Sequence, residues 1–139
     1  VDTHDIYEAF ELMERWEDRY ELIGDLGREL LTISDDERTD ANLVKGCNTR
    51  TWLTGALTND DPALVEYRAD AETPLVRGLV ALLLIPFQHH RPEEILATDP
   101  GPYIDRLGLA EHLSANRQAG MEHFIARVYQ IARAAQADG

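Results

Sequence analysis

One loop of the chain concentrates its reactive chemistry. Val44-Lys45-Gly46-Cys47-Asn48-Thr49-Arg50 holds the only cysteine among 139 residues and, two positions before it, the only lysine. Most free cysteines are small buried hydrophobes. The neighbours of Cys47 are polar or small instead of core-forming, and Gly46 permits a turn that projects the next side chain. Lys45 and Arg50 are placed to favour the thiolate, because a free thiol titrates near about 8.5 and nearby cations lower that value. The thiolate is the nucleophile of sulfur exchange. No catalytic-triad signature surrounds Cys47, so acyl transfer has no local support. One cysteine forms neither an internal disulfide nor a Cys-only zinc site. The histidines add no metal pattern. His89-His90 lack a third ligand at recognisable spacing, His112 and His123 form no HExxH, and His4 lies near the start of the chain. The residues alone point to a presented thiol.

Composition narrows the partners. The formal charge is −13. Residues 1–70 carry eighteen acids against seven bases, and residues 71–139 carry eight against six. Such a chain is a poor match for nucleic acid or an anionic membrane, and a protein with a basic patch is its natural complement. Solubility alone also accounts for the total charge. The longest apolar stretch, Gly78 to Phe87, is too short to span a bilayer. The first residues lack the basic start and apolar run of a secretory signal, so a cytoplasmic, thiol-reducing location is expected. The length suits one domain over residues 1–139.

The elements that must hold the loop are readable as patterns. Ile6, Phe10 and Met13 recur at helical spacing over Asp5 to Glu14. Trp16, Tyr20, Ile23, Leu26 and Leu30 continue in the same period, as one long helix or two abutting ones. Residues 31–42 are turn and capping chemistry. Leu43-Val44 reads as a short strand, Thr49 to Thr58 as a second, and Ala63 to Ala69 as a return strand after Asn59-Asp60-Asp61-Pro62. Pro74 opens a helix, with cap candidates from Asp70 to Thr73. Leu75 to Ile85 is apolar nearly all round and predicts a buried central helix stopped by Pro86. Pro92 to Ala97 and Tyr103 to Leu107 predict short helices, the second stopped at Gly108. Ser114 caps a last helix with Met121, Phe124, Ile125, Val128 and Ala132 on one face and a tail fraying from Gln136. Trp16 and Trp52 read as core anchors. The class is α+β: several helices on one side of a small antiparallel sheet of about three strands.

An ordered set of segments resembles the SufE family of sulfur acceptor proteins. The cysteine loop from Asn42 to Leu53 carries the resemblance, with Trp16-Glu17-Asp18-Arg19-Tyr20 and Ile23 to Arg28 upstream. Val76 to Leu83, Pro92-Glu93-Glu94-Ile95 and Leu109 to Gly120 follow downstream, so that roughly residues 10–130 are covered. The resemblance implies a fold shared with the iron–sulfur cluster-scaffold proteins, with the cysteine at a loop tip. It implies that Cys47 takes persulfide sulfur from a cysteine desulfurase, stimulates that enzyme, and passes sulfur to a cluster scaffold. The chain would be a sulfurtransferase-like co-catalyst instead of a stand-alone enzyme. It would hold no cofactor or metal itself, the pyridoxal phosphate belonging to the desulfurase. Gly46, Lys45, Arg50, Glu72 and Arg117 would support the thiol. Arg117 matches a family arginine expected beside the cysteine loop. It also falls in the first turn of the last helix, where a cation opposes the helix dipole and needs another partner. The chain departs from the family at Asn48-Thr49-Arg50, where Gln-Ser-Gln is usual, and at Glu72, where aspartate is common. A thiol-regulated adaptor without sulfur transfer is the alternative, and the oligomeric state stays open, a homodimer included.

Overall fold

Helix boundaries fall where caps are available. The computed structural model describes residues 1–138. Helix α1 (Thr3–Leu12) starts at Asp2, whose carboxylate accepts from the Asp5 N–H while the Asp5 carboxylate accepts from the Asp2 N–H. Such reciprocal caps satisfy two otherwise orphaned donors. Helix α2 (Trp16–Arg28) is separate from α1. The break is sealed by Arg19, which donates to the Met13 and Phe10 carbonyls at 2.8 and 2.9 Å and stacks over the Phe10 and Trp16 rings. The guanidinium thus adds donors to carbonyls at the end of α1, of which Phe10's also accepts from the Met13 N–H at 3.2 Å.

The sheet has two strands, β1 (Thr51–Leu57) and β2 (Val65–Ala71), paired antiparallel with Thr51 opposite Ala71 and Leu57 opposite Val65. The three-stranded expectation is corrected here. Leu43 forms only an isolated bridge to Trp52, closed by Val44 N–H to Thr51 O at 2.8 Å and Leu53 N–H to Asn42 O at 2.9 Å. The chain then turns away at Gly46, whose φ of +88° is left-handed, so the pairing goes no further. The return strand also runs further than expected. Asp70 lies in β2, and the cap of the next helix is Thr73, whose hydroxyl accepts from the Val76 N–H at 3.3 Å.

Helix α3 (Pro74–Leu84) is the centre of the core, and every residue from Gly78 to Leu84 is buried. Burial of each such Val or Leu side chain contributes about 1.5–3 kcal/mol. Helix α2 crosses it closely. A Cβ on Gly78 would overlap the Ile23 carbonyl oxygen, and one on Gly27 would stand 2.8 Å from the Gly78 nitrogen. Short helices follow: α4 (Pro92–Leu96), α5 (Gly101–Leu107) and, after Gly108, α6 (Leu109–His112), which periodicity did not reveal. Helix α7 (Ala115–Asp138) does not fray at Gln136 but continues through Asp138, in keeping with its alanine-rich end. It buries Phe124, Val128 and Ala132, and the Val128 carbonyl accepts from the Tyr67 hydroxyl of β2 at 2.9 Å. Trp16 and Trp52 are only half-buried, at the edges of the core. Among the described residues no helix is long and apolar enough to cross a membrane.

Candidate functional site

Cys47 sits between the Leu43–Trp52 bridge and the first residue of β1, on a loop anchored at both ends. Val44 is buried at one end and Thr51 at the other, while Lys45, Gly46, Asn48 and Arg50 are exposed. The Cys47 side chain is half-buried and turns inward. Its Sγ lies 3.6 Å from the Gly120 carbonyl oxygen of α7, so the thiol donates to a backbone acceptor. The helix backbone lies close beneath the sulfur: a Cβ on Gly120 would stand 3.5 Å from Sγ, at ordinary contact distance.

The sulfur faces a cavity of about 290 Å³. Val76, Leu79, Val80 and Leu83 of α3 form its floor. Leu109 and Leu113 close one side, Met121 and Phe124 another, and Asn48, Thr49, Asn116 and Arg117 stand among the polar residues lining it. A water takes about 30 Å³, so there is room for several atoms beyond Sγ. The α6 side is held from behind. The His112 ring stacks on Trp16 with centroids 3.8 Å apart, and the Tyr20 hydroxyl donates to the His112 carbonyl at 3.4 Å. Gln118 ties α7 to this wall by donating to the Ala110 and Leu113 carbonyls at 2.7 and 2.9 Å.

Burial pushes the Cys47 thiol above its ordinary value, and a hydrogen bond with Thr51 opposes that only in part. The Thr51 hydroxyl also donates to the Thr49 carbonyl at 3.1 Å, and it has a single proton to give. No cation contributes to the shift. Lys45 and Arg50, expected to favour the thiolate, are not among the causes of that upward shift. Arg50 instead pairs with Glu72 at 3.5 Å, both well exposed, and the Glu72 N–H donates to the Arg50 carbonyl at 3.1 Å. Lys45 points to solvent. Burial in the resting loop thus favours the thiol over the thiolate.

Among the sequence-predicted residues, Arg117 is brought to the same cavity as Cys47 from a place 70 positions away. Its N–H donates to the Ser114 hydroxyl at 3.3 Å, so Ser114 caps α7 as the spacing predicts. Among the described residues no carboxylate forms an ion pair with the Arg117 guanidinium. Glu72 and Arg50 form a clasp at the foot of the loop. Gly46 sets the turn, and Lys45 stands beside it. His89 pairs with Glu66 at 3.0 Å and His90 bonds the Gln88 carbonyl, which leaves neither at the thiol. No group of three or more metal-type side chains occurs among the described residues. The hydrogen bond of Sγ goes to the Gly120 carbonyl and not to a described histidine.

Two contributors escaped sequence reasoning. Gly120 is one, since its carbonyl accepts from the Cys47 thiol across 73 positions of sequence. His123 is the other, with its ring against Gly46. No local pattern pointed to that contact.

Known proteins resemble this chain in both sequence and fold. A family model described as SufE, Fe-S metabolism associated domain, matches residues 4–132. An uncharacterized SufE-like protein of Rhizobium meliloti is 36% identical over 125 residues, covering 88% of this chain and 89% of the relative. One of Rhizobium etli is 32% identical over 130 residues, covering 92% and 87%. The solution structure of a hypothetical protein from Thermus thermophilus shares the fold, with a TM-score of 0.77 over 97% of this chain and 96% of that one at 20% identity. With a family match over nearly its whole length and relatives above 30% identity, this chain belongs to the SufE family, whose domain is associated with iron–sulfur metabolism.

Proposed function

We propose that the protein is a sulfur acceptor that carries a persulfide on Cys47. The observation that carries this reading is the single cysteine of a SufE-family chain, facing an apolar cavity with room beyond its sulfur. The donor is a cysteine desulfurase, which holds the pyridoxal phosphate that this chain does not need. The Cys47 thiolate attacks the outer sulfur of the desulfurase persulfide. That sulfur–sulfur bond breaks as a new one forms at Cys47, and the desulfurase cysteine leaves as its thiolate. The proton lost by Cys47 passes to solvent or to that leaving group, and no external oxidant or reductant is consumed.

Two features of the site fit this sequence of events. Burial favours the protonated form of the resting thiol, which protects it from oxidation and makes it a poorer nucleophile. Docking on the desulfurase therefore exposes Cys47 before transfer. Arg117 at the cavity is free of a described carboxylate and is placed to meet the anion once the thiolate or persulfide forms. Removing the sulfur from the donor cysteine regenerates it, which accounts for stimulation of the desulfurase. The apolar cavity then shelters the persulfide until an iron–sulfur scaffold takes it. The acidic first half of the chain meets a basic patch on the desulfurase.

Incubation with a cysteine desulfurase and cysteine, followed by intact mass measurement, tests the reading. One added sulfur on the protein is expected, and none on Cys47→Ser, which also fails to stimulate the desulfurase. Full stimulation by Cys47→Ser would overturn the transfer mechanism and favour an adaptor. Desulfurase affinity should fall as salt rises, and an unchanged affinity would remove the electrostatic part.

A further inference from the structure

The Cys47 loop and helix α7 meet at two glycines, and the contacts are reciprocal. A Cβ on Gly46 would overlap Cδ2 of His123 and stand 2.6 and 2.7 Å from its Nε2 and Cγ, closer than real Cβ atoms approach anything. The imidazole therefore lies against the bare backbone of Gly46. At the second point the roles reverse. A Cβ on Gly120 would stand 3.5 Å from Cys47 Sγ and 4.0 Å from its Cα. Gly120 and His123 are three residues apart on α7 and so share one helix face. Gly46 and Cys47 are consecutive in the loop. The first contact excludes any side chain at position 46, while the second is ordinary van der Waals contact that sets Sγ against the α7 backbone.

We propose that His123 is the positioning residue of the Cys47 loop. Its ring fills the space that only a glycine at 46 leaves open, and this seat holds Sγ over the Gly120 carbonyl, facing the cavity. Gly46 is constrained twice, by its left-handed φ of +88° and by the ring. The ring acts through its shape and not as a base, since Sγ bonds the Gly120 carbonyl and not the imidazole. The consequence for function rests on the sulfur-carrier reading: the strength of the seat sets how often Cys47 opens to a donor persulfide. The seat itself does not rest on that reading.

The test measures alkylation of Cys47 by iodoacetamide at fixed pH in the free protein, with thermal unfolding alongside. His123 is exposed, so substitutions there leave the core intact. His123→Ala should alkylate roughly three- to tenfold faster with little change in thermal midpoint, because a few lost van der Waals contacts shift a local opening equilibrium by about that factor. His123→Phe, which keeps a flat ring, should return the rate to that of the unaltered chain. An unchanged rate in His123→Ala overturns the proposal, and so does a His123→Phe protein as fast as His123→Ala. The unaltered chain supplies an independent measurement: NMR should show His123 ring protons close to the Gly46 α-protons, which the ring current shifts. Absence of both signals also overturns the seat. Alkylation involves no desulfurase, so a chain that passes these tests yet takes up no sulfur keeps the seat and loses the carrier role.

Discussion

Two acidic groups lie at the same end of the hairpin and are treated in opposite ways. Asp70 is opposite Trp52 in the register and only 2% exposed. Its carboxylate accepts from the Ala71 N–H at 2.8 Å, from Arg77 of α3 at 2.7 Å, and from Arg38, whose guanidinium also stacks on Trp52. Burial alone would raise its pKa, but these donors together outweigh that and hold it below the ordinary carboxylate value. Cys47, just ahead of β1, is half-buried against apolar side chains and a carbonyl, with no cation contributing, and its pKa goes up. The arginines nearest this end of the hairpin serve structure: Arg38 and Arg77 hold Asp70, and Arg50 is occupied by Glu72. The lesson is that burial stabilises a charge only where donors surround it, and keeps a group neutral where they do not. The satisfied carboxylate joins β2, α3 and the 35–38 segment into a frame. The thiol, bonded to the Gly120 carbonyl and without a cation, stays ready for a partner to change its surroundings.

This contrast can be broken at either end. The largest effect expected is on sulfur uptake: Cys47→Ser should abolish it, while its urea midpoint stays close to that of the unaltered chain. A large loss of stability in that variant would mean that the thiol is structural after all. Next comes Asp70→Asn, which leaves two guanidinium groups without their carboxylate. Urea unfolding should show a loss of about 2–3 kcal/mol, less than the about 3–5 typical of a fully buried pair because both arginines reach solvent.

The pH dependences should have opposite signs. The folded-state pKa of Asp70 is depressed, so its contribution is present above the unfolded value near about 3.9 and is lost as pH falls through the folded value. Asp70→Asn should remove that part of the acid-induced loss. The folded-state pKa of Cys47 is raised, so its contribution is present below the unfolded value of about 8.5 and is lost as pH rises through the folded value. Alkylation of folded protein should accordingly rise at higher pH than alkylation in urea. Coincident profiles would show the resting thiol to be unshifted.

The smallest effects sharpen the picture at the loop. Gly120→Ala places its methyl at ordinary contact distance from Sγ, so the helix should gain up to about 1 kcal/mol without displacing the thiol. Breaking the Arg50–Glu72 pair by Arg50→Ala should change stability by no more than about 0.5 kcal/mol, since both groups are exposed. A larger loss would show that the clasp holds the loop more firmly than its geometry implies.

Much of this protein is written in local pattern. The apolar run from Leu75 to Ile85 dictated a buried central helix, because no amphipathic face was available to meet water. Pro74, Thr73, Ser114 and Gly108 marked helix ends through capping and backbone preferences that act within a few residues. The loop around Cys47 was recognisable as a presented thiol, and the ordered motifs tied it to a sulfur-handling family. Other features depend on distant surfaces meeting. The third strand failed because the Gly46 turn ended its pairing after two hydrogen bonds, and α6 was too short to show a period. The pKa of Cys47 could not be read from Lys45 and Arg50, since charge near in sequence counts only when it is near in space and unscreened. Arg117 reaching the cavity, Gly120 beneath the sulfur and His123 seated on Gly46 all require the packing of α7 across the hairpin. Sequence by itself determined that the chain has one cysteine, that it lies in a loop of polar and small residues, and most of the elements that surround it. Only the tertiary structure decided that this cysteine rests turned inward, half-buried and held against a helix, because burial and contact are properties of assembled surfaces.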